Sequence, residues 1–272
     1  MLSVYKQLLS SYWRIFSANL RHSVRMDLAY FGNNWGNVIS TAIYTVSRLI
    51  FVGAIFYNIR SFGGYDRNSM LLFMVVTQIN FYIVFLFIGL NNVWDLVSDI
   101  NTGNLDMILL KPLPHLFYLT TRTVGIVPAI RDGLFNVLLM SFFVHWTSLG
   151  ITLAAFWPTV VVWVSGIFVS CTIALLLGLS AFWQGQATEI VSLSYTVMDT
   201  DMPLEAHPQP YRNFLLTGLP VLIMSALTAS VLLGRSPGWP SAIFALSVAA
   251  AMAAIRHYLW GYALRQYTSA SS

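Results

Sequence analysis

Arg48 stands near the middle of the apolar run "NWGNVISTAIYTVSRLIFVGAIFYN", residues 34–58. A guanidinium in such surroundings is costly and needs polar partners, so it marks a pathway, a subunit interface or a structural pairing with carbonyls or a carboxylate. Thr77, Gln78 and Asn80 place further polar groups inside the next apolar run, "SMLLFMVVTQINFYIVFLFIGLN". They can line a substrate path or hydrogen-bond neighbouring helices together. Glu189, with Gln184 and Gln186, opens a later run and is the one carboxylate candidate inside such a segment; a solvated helix end is its plainer reading. Arg131 and Asp132 are adjacent and read as a local ion pair.

None of these residues forms a pattern for bond-making chemistry. His22, His115, His145, His207 and His257 are scattered, with no H-E-x-x-H spacing, so no metal site is expected. Cys171 is the single cysteine, lies in an apolar run and reads as a buried, inert thiol. No G-x-x-x-x-G-K-S/T phosphate cradle occurs, so the chain is not expected to hydrolyse ATP by that route, and no cofactor is expected in it.

The elements that must position these residues are set by composition. The 272 residues are 57% hydrophobic and 9% charged, against about 25% charged in soluble domains. Such a surface cannot face water all round, which makes lipid the expected solvent. The net charge of +4 is carried at the ends of apolar runs and forms no basic stripe, so nucleic acid is not an expected partner. Residues 1–30 lack the apolar core and cleavage site of a signal peptide, so the first apolar run is expected to direct insertion.

The expected fold is an all-α membrane protein with six transmembrane helices. Residues 1–33 form an amphipathic helix, with Lys6, Ser10, Arg14, Ser17, Arg21 and Arg25 on one face and Tyr5, Leu8, Leu9, Tyr12, Trp13, Phe16 and Leu20 on the other. Basic opposite aromatic suits a helix lying in the membrane interface. Residues 34–272 form the membrane domain, with spans near 34–58, 69–91, 127–149, 155–180, 181–199 and 241–263. Basic residues at both ends place both termini in the cytoplasm, which permits only an even number of crossings. One of the two runs between 181 and 240 must therefore fail to cross. The segment 203–235 is read as a re-entrant hairpin dipping from outside, because Pro203, Pro208, Pro210 and Pro220 interrupt it, although 213–233 remains the alternative fifth span. Ala245, Ala249 and Ala253 line one face of the last span for close packing.

The loop 92–126 then lies in the cytoplasm. It is far longer than a connector of about 4–6 residues and has its own pattern. "VWDLVSDI" and "LDMILL" carry helical apolar spacing, Gly103 separates them, and Lys111-Pro112 ends the second. Leu105, Ile108 and Leu109 share a face that would fill a groove on a partner, with Asp106 and Lys111 fixing register. A linker helix without a partner is the competing reading.

"GNLDMILLKPLPHLF" resembles the cytoplasmic loop of the bacterial ABC-2 family of transporter permeases, where G-x-L-D-x-x-L-x-(K/R)-P recurs. "WGYALRQYTSAS" is similar to that family's closing segment, and "MPLEAHPQPYRNFLLTGLPVLIMSALTASVLLG" to its outward segment. Tyr262-Ala263 and Thr228 depart from the family's usual residues. The resemblance implies the membrane half of an ATP-driven exporter in the bacterial inner membrane. It implies two permease subunits, identical or related, and two separate ATPase subunits that bind ATP and Mg. The loop would be a coupling helix, with Gly103, Leu105, Asp106, Ile108, Leu109, Lys111 and Pro112 docking on the ATPase. The other function class is a membrane-embedded enzyme acting on lipid or lipid-linked sugar, which would be expected to gather carboxylates or histidines at one membrane face. The substrate is not legible in these residues.

Overall fold

The computed structural model describes residues 2–29, 35–87, 90–112, 114–185, 187–198 and 202–267, and all of their extended regular elements are helical. Helix α1 is Leu2–Ala29, α2 is Trp35–Asn58 and α3 is Arg67–Phe87. Then come α4 (Leu90–Thr102), α5 (Asn104–Leu109) and α6 (His115–Thr121). The short α7 (Ile126–Pro128) runs through a π turn at Ala129–Leu134 into α8 (Phe135–Phe142). Helix α9 is Leu153–Gly178, α10 is Ala181–Gln184 and α11 is Thr188–Met198. The remainder are α12 (Gln209–Thr217), α13 (Ala226–Leu232) and α14 (Gly238–Gln266).

Four helical stretches are long and apolar enough to cross a membrane: Trp35–Asn58, His115–Phe142, Leu153–Gln184 and Gly238–Gln266. A fifth candidate is the pair Gln209–Thr217 and Val221–Leu232, bent by 94°. Helix α9 is the axis of the bundle and packs on α14, α13, α11, α4 and α3. Helix α3 is the other interior element, with every residue from Met70 to Gln78 buried. Asp66 caps it by accepting from the backbone N–H and the hydroxyl of Ser69. By contrast α2 and α14 expose Ile39, Ile43, Ile50 and Phe51, and Ile243, Leu246 and Ile255. Broad apolar faces of this kind belong against hydrocarbon or protein, not water.

The segment after α11 leaves one end of the bundle and comes back to it. A Cβ on Gly63, in the α2–α3 loop, would lie 2.8 Å from the Cβ of Ala206. On the return, Arg235 donates to the carbonyl of Gly64 at 2.8 Å. Between these points the chain reaches the middle of α9, where a Cβ on Gly166 would lie 2.5 Å from Met224 Cα. No side chain fits there, so glycine at 166 is what lets the bend of the hairpin lie directly on α9.

Two boundaries differ from the sequence reading. Residues 181–198 are not one helix: Ala181–Gln184 continues the α9 stretch, Gly185 turns at φ +68, and α11 has only 11 residues. The stretch expected at 127–149 instead begins at His115 and ends at Phe142. Polar, glycine-bearing joints blurred both edges, because local apolar runs do not report where a turn falls.

Candidate functional site

The loop 92–126 folds as a braced lever. Gly103 adopts φ +76, the left-handed turn that separates α4 from α5 at little cost only to glycine. Asn92, Asp95 and Asp99 are spaced i, i+3, i+7, so one face of α4 presents all three. The return segment meets them. Asn92 donates to the carbonyls of Thr120 at 3.1 Å and Thr123 at 2.8 Å, and accepts from Thr123 N–H at 2.8 Å. Arg122 pairs with Asp99 at 2.6 Å and with Asp95 at 3.3 Å. Helix α1 supports the same segment from outside. Asn19 donates to Thr121 O, Ser23 Oγ accepts from Val124 N–H, and the Tyr12 ring meets Phe117 edge-on at 4.8 Å. Part of the aromatic face of α1 is therefore covered by the chain itself, while Trp13 and the basic residues Arg14, Arg21 and Arg25 are exposed.

At the tip, the two faces of α5 have separate roles. Leu105 and Ile108 are buried in the chain's own core, and Leu109 packs against it. Leu105 and Ile108 are thus covered by this chain's own core, whereas the spacing alone offers them to a partner, and Leu109 is half-covered. The apolar face was legible, but its occupant is intramolecular. Outward stand Met107, 67% exposed, and Leu110, 81% exposed, followed by exposed Lys111 and Pro112. Lys111 Nζ sits 5.5 Å over the Tyr118 ring, and His115 shares a hydrogen bond with Lys111 O at 3.1 Å. Asp106 is half-buried and faces Tyr267 just beyond α14. Burial, and then the Asp106 and Asp99 carboxylates, raise the Tyr267 hydroxyl above its ordinary pKa.

A second polar group lies within the bundle. Arg48 is buried, donates to Gln78 Oε1 at 3.2 Å and lies 4.9 Å over the Tyr44 ring. Gln78 is also within hydrogen-bond reach of Tyr82, which accepts from Asn136 at 3.1 Å; Thr45 in turn donates to Asn136 at 2.6 Å. Helices α2, α3 and α8 are joined this way. Thr77 bonds back to Phe73 O in its own helix. Asn80 points elsewhere: at about 100° per residue it is some 200° around α3 from Gln78. It donates to Met224 O at 2.7 Å and Ser225 Oγ at 3.0 Å, and accepts from Trp163 Nε1. Glu189 is exposed at the first turn of α11, and Gln184 is exposed too. Gln186 and the closing residues 268–271 lie outside the described residues.

Arg131 and Asp132 form the expected local pair, at 2.6 and 2.8 Å. Among the described residues no group of three or more His, Cys, Asp or Glu side chains is placed to hold a metal. The Arg122–Asp95–Asp99 brace was missed from sequence, although the i, i+3, i+7 polar stripe on α4 was there to be read. Asn136, a carboxamide in the apolar run of α8, was a similar signal.

The family model for ABC-2 family transporter proteins matches residues 42–271, nearly all of the bundle. The chain belongs to the ABC-2 family. No curated protein and no solved structure matches it. As an ABC-2 permease it is a multi-pass membrane protein and a transport component, and the exposed apolar faces of α2 and α14 belong against the lipid or protein of that setting.

Proposed function

We propose that this permease is the membrane-spanning subunit of an ATP-driven exporter. It works as a homo- or heterodimer with two separate ATPase subunits that bind ATP and Mg, in a bacterial inner membrane, with both termini in the cytoplasm. The observation that carries this reading is the braced loop. A short helix exposing Met107, followed by exposed Leu110, Lys111 and Pro112, projects from α4, and the return segment behind it is held by ion pairs to α4 and by α1. An exposed apolar and basic tip on a stiff support is suited to receive a push from a partner and pass it on to α3 through α4, and to α8 through α6. Gly103 sets its angle, Leu105, Ile108 and Leu109 root it, Asp106 orients it and Met107, Leu110 and Lys111 touch the partner.

Contacts at the ends of the segments support a reading with six crossings. Asn68 in α3 bonds His145 O and Ser148 Oγ, which puts the α2–α3 and α8–α9 connections at one end. Ala206 and Arg235 join them there. The α4–α6 brace, and Gly178 against Val93 and Val191, mark the other end. On this reading α11 belongs to the fifth crossing, while the segment 203–235 enters and leaves on the outer side. Helix α1 lies in the inner interface.

The Arg48–Gln78 network and Asn80 are the candidates for the substrate pathway or subunit interface, with Thr77 and Glu189 the weaker ones. The test is purification of the tagged chain with its neighbouring ATPase from native membranes. Recovery of a complex with two of each subunit and substrate-stimulated ATP hydrolysis is the expected result; a chain that purifies with no ATPase would remove the reading.

A further inference from the structure

A cavity of about 450 Å³ opens between the hairpin and the start of α14. That is within the range of about 300–1,000 Å³ usual for small-molecule sites. Its polar wall includes Arg212, Arg235 and Glu205, and its apolar wall includes Leu216, Leu227 and Phe244. The charges on the polar wall do not cancel. Glu205 accepts from Ser230 Oγ at 2.5 Å with Oε1 and lies against buried Tyr65, while its Oε2 is buried without a hydrogen-bond partner among the described residues. Arg235 is fixed 4.2 Å over the Tyr65 ring and gives one donor to Gly64 O, which leaves others of its five N–H groups in reserve. Arg212 is half-buried, and its guanidinium has no hydrogen bond or ion pair among the described residues. A partly desolvated guanidinium with no acceptor among the described residues, in one cavity with a second one anchored on Gly64 O and the Tyr65 ring, is suited to an anion.

The geometry points to a binding site for a small anionic amphiphile, with its phosphate or carboxylate group on Arg212 and Arg235 and its alkyl part on Leu216, Leu227 and Phe244. A cation is disfavoured by two guanidinium groups against a single carboxylate, one oxygen of which Ser230 occupies. A purely polar anion would leave the leucine and phenylalanine wall unused. The site belongs to this chain alone and depends neither on the ATPase nor on which way the permease faces, so it stands or falls apart from the transport reading.

The probe is decyl phosphate, titrated into the full chain purified in a neutral detergent and followed by calorimetry and by thermal unfolding. Saturable binding is expected. Arg212→Gln weakens it about tenfold or more, the effect of losing one charge-assisted contact. Arg212→Lys keeps most of the affinity, and Arg14→Gln, an exposed cation on α1, leaves it unchanged. Phe244→Ala weakens decyl phosphate binding as well. Each variant's unliganded unfolding temperature is measured first, so that a misfolded protein is not scored as a non-binder. Nanodiscs with and without phosphatidate then separate the sources. Competition by phosphatidate makes a lipid headgroup the occupant, its absence makes a free amphiphile the occupant, and either keeps the site. Equal affinity in wild type, Arg212→Gln and Phe244→Ala, or an equal loss in Arg14→Gln, overturns it.

Discussion

Asn80 Nδ2 donates to the carbonyl oxygen of Met224 at 2.7 Å, joining the interior helix α3 to the deepest turn of the hairpin. Its carboxamide oxygen accepts from the Trp163 indole, so the same side chain also reaches α9. Replacing it strands a backbone carbonyl and an indole N–H in a buried place. Asn80→Leu is expected to cost about 1–3 kcal/mol, the penalty of leaving such groups unpaired. With Cys171→Ser as background, a cysteine at the fully buried position Ile223 should react with a maleimide faster in Asn80→Leu than in the parent. Equal rates would mean that the hairpin is held elsewhere.

The Gly166–Met224 approach makes a sharper prediction. A methyl group at 166 would meet backbone at 2.5 Å, which cannot rotate away, whereas Gly53 on α2 has nothing within 4 Å. Gly166→Ala should destabilise by about 1–3 kcal/mol through overpacking. Gly53→Ala should be neutral or slightly stabilising, since alanine is the better helix former. Thermal unfolding of the two variants in one detergent compares them directly.

The difference between those two glycines shows what the sequence could and could not disclose. Both stand in apolar helices, and nothing local separates them; only the path of a segment some sixty residues later makes one indispensable. Most of the helices were legible from apolar runs, as were the break at Gly103 and the end of α5 before Lys111-Pro112, though not the break at Gly185. Partnership was not. Gln78 and Asn80 look like one polar patch in the sequence, yet helical rotation sends them to different neighbours. Leu105 and Ile108 looked like a surface offered to another protein, because spacing reports that a face is apolar and not who covers it.

Arg48 and Gln78 are coupled by their hydrogen bond at 3.2 Å, and both are buried. Arg48→Leu should impair assembly or transport, and Arg48→Lys less, since a cation is retained. The double variant Arg48→Leu, Gln78→Leu should be more stable than the sum of the two single losses, because neither polar group is then left alone. Additive losses in unfolding experiments would place the partner of Arg48 outside this pair.

Asp27 on α1 gives a pH dependence. Burial raises its carboxyl pKa above the ordinary value, and Arg131 opposes the shift. A raised folded-state value means that the folded chain holds the proton more tightly than the unfolded chain. Its contribution is therefore favourable below the ordinary carboxylate range and is lost as pH rises through the raised value. Asp27→Asn should flatten that acid-side slope of the unfolding temperature. An unchanged slope would assign it to other carboxylates.

The two faces of α5 separate docking from folding. Leu110 is 81% exposed and Met107 67% exposed, while Leu105 is fully buried. Leu110→Glu should therefore leave the unfolding temperature of the permease nearly unchanged. It should nevertheless lose the ATPase in a pull-down, because a charge buried unpaired in the contact costs several kcal/mol. Leu105→Ala should do the reverse: the permease loses about 2–5 kcal/mol to a core cavity, while the ATPase is still recovered from the fraction that folds. Arg122→Ala provides a third pattern. It removes the brace to Asp95 and Asp99 without touching the tip. ATPase recovery should persist, but substrate-stimulated hydrolysis should fall, since the push on α5 is no longer passed to α6. If Leu110→Glu recovers the ATPase normally and keeps its stimulation, the docking role leaves α5, and the exposed basic face of α1 becomes the surface to test.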